Sequence, residues 1–264
     1  MGDGSVVRLI SFLIVFTLVA CSEFFWPRRQ PTVSKIARWL SNLAIAAIDV
    51  GVVRLATPVM PIATALMANT RGRGLFNLLA LPCQLTFILT LLALDLLIYL
   101  QHRLFHRIPL FWRFHRMHHT DLELDVTTGN RFHPLEILLS LLIKTAAVML
   151  LGAPAAAVLV FEIVLNATSL FNHGNLRIPV AIDRWLRLGI VTPDMHRVHH
   201  STIPQETDSN FGFNLPWWDR LLGTYRDQPK HGHDGIVIGL KEFRDPLRLR
   251  LLDLLVLPFR GRGG

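Results

Sequence analysis

Long apolar runs separated by short basic stretches set the pattern of this chain. Val6 to Ala20 is apolar after Arg8 and reads as a first membrane helix continuing through Phe25. Leu18-Val-Ala-Cys21 also resembles a lipoprotein cleavage box, but the helix is the simpler reading. Leu43 to Met67 is a second apolar stretch, interrupted by Asp49, Arg54, Pro58 and Pro61, which predicts a kinked or re-entrant segment rather than a straight helix. Leu75 to Leu100 predicts the clearest span, long enough to cross with some tilt. Leu135 to Leu151 and Pro154 to Phe171 predict two helices in a tight hairpin at Gly152-Ala-Pro154. Lys144 and Glu162 lie at similar distances from that turn, so they are expected to pair, because a lone charge at that depth is costly. From His173 onward the chain reads as a mostly soluble cap. Asp245 to Phe259 within it suits an amphipathic helix on the membrane surface, with Asp245 and Pro246 as its start.

This pattern predicts an all-α, polytopic membrane helical bundle with a histidine-rich helical cap. Residues 1–74 hold the N-terminal membrane helices, 75–228 the catalytic domain and 229–264 the tail. Composition agrees, with 51% hydrophobic residues and a mean hydropathy of +0.40. The formal charge of +8 comes from arginines crowded between the apolar runs. Arg28, Arg29, Lys35 and Arg38 follow the first span, which puts that end, all the histidine clusters and the carboxyl terminus in the cytoplasm. No nucleic-acid motif accompanies the charge, so nucleic acid is not expected as a partner. Cys21 and Cys83 lie in apolar runs and offer neither a disulfide framework nor a cysteine zinc site.

The chemistry lies in three histidine boxes: His102-x-x-x-His106, His115-x-x-His118-His119 and His196-x-x-His199-His200. They hold eight of the twelve histidines at helical spacings of three or four. In the second and third boxes two rings can share a face while the other turns towards a neighbouring metal. Thr192-Pro193-Asp194 is a good helix start ahead of the third box. His133 and His173 flank the hairpin on the side of the boxes, making ten imidazoles, enough for two metals, although these two fit a supporting hydrogen-bond role equally well. His231 and His233 read as polar loop residues. Imidazole alone does not choose among zinc, copper, iron and nickel. No His-Glu-x-x-His sequence and no cysteine ligand favour zinc.

The three boxes, the hairpin between the second and third, Arg131-Phe-His-Pro-Leu-Glu136 and the stretch Asn210 to Tyr225 resemble the fatty acid hydroxylase and sterol desaturase superfamily over roughly residues 90–226. The resemblance implies a membrane enzyme with two iron ions that uses O2 and supplied electrons to hydroxylate or desaturate a fatty acyl, sterol or related lipid. It implies no catalytic side chain beyond the metal site. Without a fused cytochrome b5-like module, electrons come from a separate donor, ferredoxin-like or cytochrome b5-like with its reductase. Asp95, Glu136 and Asp194 are candidates to orient the ligands, and Trp217, Trp218 and Tyr225 to cap the site or anchor at the interface. Ether-lipid or carotenoid oxidation on the same scaffold, and a metal transporter without enzymatic activity, are the rival readings.

Overall fold

The computed structural model describes residues 4–56 and 60–261. Its described elements are helical: α1 (Ser5–Phe25), α2 (Lys35–Leu55), α3 (Pro61–Thr70), α4 (Leu75–Leu78), α5 (Cys83–Arg107), α6 (Pro109–His119), α7 (Pro134–Leu151) and α8 (Ala155–Asn172). The cap follows with α9 (Val180–Leu186), α10 (Pro193–His199), α11 (Pro204–Thr207), α12 (Trp217–Leu221), α13 (Gly232–Gly235) and α14 (Leu251–Val256). Among the described residues, α1, α2, α5, α7 and α8 are long and apolar enough to cross a membrane. The chain is a multi-pass membrane protein.

Contacts at the helix ends fix the relative directions. At one end of the bundle, Asn69 Nδ2 donates to Ala153 O, and Gly74 meets Gly152 so closely that a Cβ on Gly74 would lie 2.2 Å from the Gly152 nitrogen. Both glycines have positive φ, so the turn after α3 and the hairpin turn nest only because neither carries a side chain. Gly4 packs on Leu159 near this same end. At the opposite end, Val126 N and Asn175 N donate to Glu23, and Arg38 meets Asp121 and Asp125. Thus α1, α5 and α8 run towards the cap, while α2 and α7 run away from it. A core of Leu94, Ile98, Val148, Val158 and Phe161 ties α5 to the hairpin.

Several predicted boundaries move. The second span begins at Lys35, not Leu43, and passes uninterrupted through Asp49 and Arg54. Its break falls between Leu55 and Pro61, where α3 takes over the rest of the path; Pro58 lies outside the described residues. Leu75–Leu100 is not one helix. It splits at Leu79–Pro82, where Ala80 has φ 47° and Pro82 caps α5. The tail is also not one amphipathic helix. Pro246–Arg248 forms a single 3-10 turn, capped by the Asp245 side chain, before α14. Leu254 and Leu257 are buried against Ile45 and Met117, so packing on the protein wins over a continuous surface helix. The Lys144–Glu162 pair is present at 2.7 Å, and Arg8 joins it at 2.5 Å from Glu162.

Candidate metal centre

Three elements bring the boxes together. α5 carries His102 and His106 past the apolar bundle. Ile108-Pro109 breaks the path, and α6 folds back with the second box. Thr192 caps α10, accepting from Met195 N, and starts the third box. Nine histidines form two groups. His102, His106, His115, His119 and His199 make one; His118, His173, His196 and His200 make the other. In each group one ligand atom from every residue lies within 4.8 Å of all the others. The second and third boxes cross over. The i,i+4 pairs His115/His119 and His196/His200 each stay with one group, while His118 and His199 turn to the other, as the helical spacing dictates.

The hydrogen bonds around these rings decide which nitrogen faces inward. His102 Nδ1 meets Phe211 O at 2.8 Å, His118 Nδ1 meets Arg131 O at 3.2 Å, His173 Nδ1 meets Ser169 O at 2.6 Å and His199 Nδ1 meets Ser209 O at 2.7 Å. A carbonyl accepts only, so each Nδ1 must donate, and each Nε2 is left as a bare lone pair. Those lone pairs converge. His118 and His173 Nε2 lie 3.0 Å apart, His173 and His196 Nε2 3.1 Å, and His102 and His115 Nε2 3.1 Å. Facing lone pairs repel, and the buried Nε2 atoms of His106 and His199 have no partner at all. A cation resolves both problems. With metal–nitrogen bonds of about 2.1 Å, adjacent donors sit about 3.0–3.4 Å apart. The donor sets therefore fit two metal ions.

Electrostatics agree. Burial pushes His115 down to about 3 and His173 down to about 4. Burial, with facing imidazoles adding to it, holds His118, His119, His196, His199 and His200 well below the usual histidine range. The rings are therefore neutral at pH 7, as ligation requires.

The other predicted residues divide. Glu136 Oε1 lies 2.7 Å from His115 Nδ1, close enough to orient that ring. His133, expected among the ligands, lies outside both groups. Its Nδ1 accepts from Leu135 N as the cap of α7 and its Nε2 donates to Leu255 O, so no lone pair remains. Asp95 accepts from Trp218 Nε1 and Leu215 N rather than from a ligand, which ties the Asn210–Tyr225 loop to α5. Asp194 meets Arg197 and Arg28 instead of a box histidine. Trp217 donates to Leu188 O and Tyr225 to Asp227. His231 is exposed, but His233 is buried, 3.8 Å from Asp194.

Two supports went unread in the sequence. Asp219 accepts from Phe211 N, Gly212 N and Thr224 Oγ1, which presents Phe211 O to His102. Arg131 donates to Met117 O, Thr120 Oγ1 and Asn42 Oδ1 while its own carbonyl faces His118. The available signal was Arg131 in Arg131-Phe132-His133-Pro134, an arginine leading straight into the apolar hairpin. Next to the first group a cavity of about 1160 Å³ opens between α1, α2, α5, α7 and α8, reaching His102, His115 and Glu136.

Two buried groups of imidazoles that could each hold a metal ion, beside a largely apolar cavity at one end of a bundle of membrane-length helices, define the class. The fatty acid hydroxylase family profile matches residues 87–224, and the chain belongs to that family. It is 28% identical to ornithine lipid hydroxylase OlsE of Rhizobium tropici over 84% of this chain and 67% of that one. It is 28% identical to alkylglycerol monooxygenase of Xenopus tropicalis over 53% of this chain and 30% of that one, and 27% identical to cholesterol 25-hydroxylase of Rattus norvegicus over 54% and 47%. The chain thus spans less than half the length of the latter two relatives. No solved structure matches it.

Proposed function

We propose that this protein is an O2-dependent lipid oxidoreductase with two irons, hydroxylating or desaturating a C–H of an amphiphilic lipid drawn from the bilayer. The observation that carries the reading is the junction of cavity and cluster: His102 and His115 belong to the first donor group and also line the cavity wall. The named relatives act on an ornithine lipid, alkylglycerols and cholesterol, which supports a lipid substrate without choosing one. Crowded neutral imidazoles at one end of the bundle favour this over a transporter, which needs polar ligands along a crossing path.

His102, His106, His115, His119 and His199 would hold one iron, and His118, His173, His196 and His200 the other. Bound iron would supply the one-electron and dioxygen chemistry that no side chain offers. The chain's own work is orientation and exclusion. Backbone carbonyls at Phe211, Arg131, Ser169 and Ser209 lock the tautomers. Phe132 stacks on His118 at 4.5 Å, and Phe211 and Phe213 pack on His102, which keeps water from the rings. We place the histidine end and the carboxyl terminus in the cytoplasm, where a separate ferredoxin-like or cytochrome b5-like donor would reach it.

Protein purified under reducing conditions should carry two irons per chain, and lipid profiles of cells with the active protein should gain an oxidised species absent with His118→Ala or His199→Ala. A single zinc, with activity unchanged by iron removal, would overturn the reading.

A further inference from the structure

Leu9 and Phe12 on α1 and Leu43 and Val50 on α2 give the cavity an apolar wall. Three polar residues from three helices also line it: Asp49 on α2, Gln101 on α5 and Glu136 on α7. They are only 8%, 9% and 4% exposed, yet each keeps a buried oxygen without a hydrogen-bond partner. These oxygens are Asp49 Oδ1, Gln101 Oε1 and Glu136 Oε2. The facing atoms of two of the groups are already engaged. Gln101 Nε2 donates to Ser140 Oγ at 3.0 Å, and Glu136 Oε1 faces His115 Nδ1 at 2.7 Å.

The three gather at one stretch of α7. Ser140, which receives Gln101, is one turn from Glu136. The charged neighbour of Asp49 is Glu136, a second acid. Lys144, two turns beyond Glu136, is held by Glu162 at 2.7 Å. This stretch is also the metal end of the cavity. Gln101 directly precedes His102, Glu136 meets His115, and Asp49 lies one turn beyond Ile45, which packs with Met117 of the second box. Carboxylate and amide oxygens accept hydrogen bonds, and a buried acceptor left unmet is costly, most of all beside a membrane. Three such oxygens on one cavity wall call for donors from outside the chain.

We propose that Asp49, Gln101 and Glu136 form a subsite for the hydrogen-bond-donating headgroup of an amphiphilic ligand, an ammonium or a hydroxyl, while the ligand's chain follows the α1–α2 wall. This deepens the reading of the protein as a lipid oxidoreductase and rests on it for turnover. The carbons next to the headgroup, rather than the far end of the chain, then lie nearest His102 and His115. Binding itself does not depend on turnover.

The test is binding to the iron-loaded full-length protein in nonionic detergent. The probes are 1-dodecanol, dodecylammonium and 1-methoxydodecane, an ether that accepts but cannot donate. Both donors should bind about five- to ten-fold more tightly than the ether, the worth of meeting one or two buried acceptors. Asp49→Leu and Gln101→Met should each shrink that preference severalfold without weakening the ether, and either serves alone if the other fails to fold. The tighter of the two donors identifies ammonium or hydroxyl. Equal affinity of all three probes, as water on these oxygens would give, overturns the subsite. So does a donor preference that both variants retain, as direct binding of the donor to the metal would give. Donor preference without any lipid oxidation would instead count against the oxidoreductase reading alone.

Discussion

Glu136 holds His115 by one buried contact, Oε1 to Nδ1 at 2.7 Å, and both side chains are almost fully shielded. The carboxylate fixes the ring so that its Nε2 meets those of His102 and His119 at 3.1 and 3.3 Å. Such outer partners typically contribute 10–100-fold in metal affinity. Glu136→Ala should therefore release iron to a chelator at about 10–100-fold lower concentration. Glu136→Gln keeps an acceptor and should fall between. Unchanged iron retention in Glu136→Ala would show that the contact does not orient the ligand.

The two donor groups are unequal, five rings against four. Removing His119 leaves the first group four imidazoles; removing His200 leaves the second only three, close to the minimum for a stable site. His200→Ala should lose one metal on mild chelation, whereas His119→Ala should keep two. Iron counted per chain after dialysis decides it. Equal loss in both variants would mean that the groups share ligands more evenly than their geometry implies.

The boxes were legible because helical spacing is a short-range code. Histidines three and four apart on α6 and α10 point to different faces, and the structure divides them between the two donor groups. The hairpin charges were legible for the same kind of reason, since Lys144 and Glu162 are equidistant from one turn. What the sequence hid depends on long-range partners. His133 and His173 flank the hairpin alike, yet His173 meets His118 while His133 is used up capping α7 and bonding Leu255 O in the tail. Asp95 is two turns from His102 on the right face, but Trp218 reaches it first. The interruption in the tail likewise answers to packing partners rather than to local pattern, whereas the break before α5 follows from Pro82 itself.

Beneath the second box, Asp121 is buried among Arg38, Asn42 and Thr128. Burial alone would raise its carboxyl, but the Arg38 and Arg131 guanidiniums override that and hold it well below the usual carboxylate range. Breaking a buried pair from one side strands the other charge, at a cost of about 3–5 kcal/mol. Asp121→Asn should lower the thermal midpoint strongly in detergent, and more than Asp245→Asn, which keeps the cap and removes only an exposed charge beside Arg248. A midpoint for Asp121→Asn within that of the Asp245 variant would show the network to be slack.

His233 supplies a pH dependence away from the metal rings. Burial pushes it from 6.5 down to about 4, against the opposing pull of Asp194. Between those values the unfolded chain binds the proton and the folded chain does not, so stability is full above 6.5 and falls as pH drops towards 4. His233→Asn removes the titrating group. The thermal midpoint of the wild type should fall more steeply than that of His233→Asn as pH goes from 6.5 to 4. Parallel curves would remove His233 as a contributor.

The last prediction concerns sidedness. The turn after α3, the hairpin turn and the start of α1 share one end of the bundle, so whichever side one occupies, all do. Arg28, Arg29, Lys35, Arg38, Arg103 and Arg107 flank the opposite end, against Arg8, Arg54, Arg71 and Arg73 at the turn end. By that bias the histidine end is expected inside. In a background with Cys21 and Cys83 replaced by serine, Arg71→Cys should react with an impermeant maleimide on intact cells. Arg248→Cys, on an exposed stretch of the tail, should react only after permeabilisation. Ala153 would be a poor reporter despite its place in the hairpin turn, because it is fully buried under Asn69. Labelling of Arg248→Cys on intact cells would put the metal groups outside, beyond the reach of a cytoplasmic electron donor.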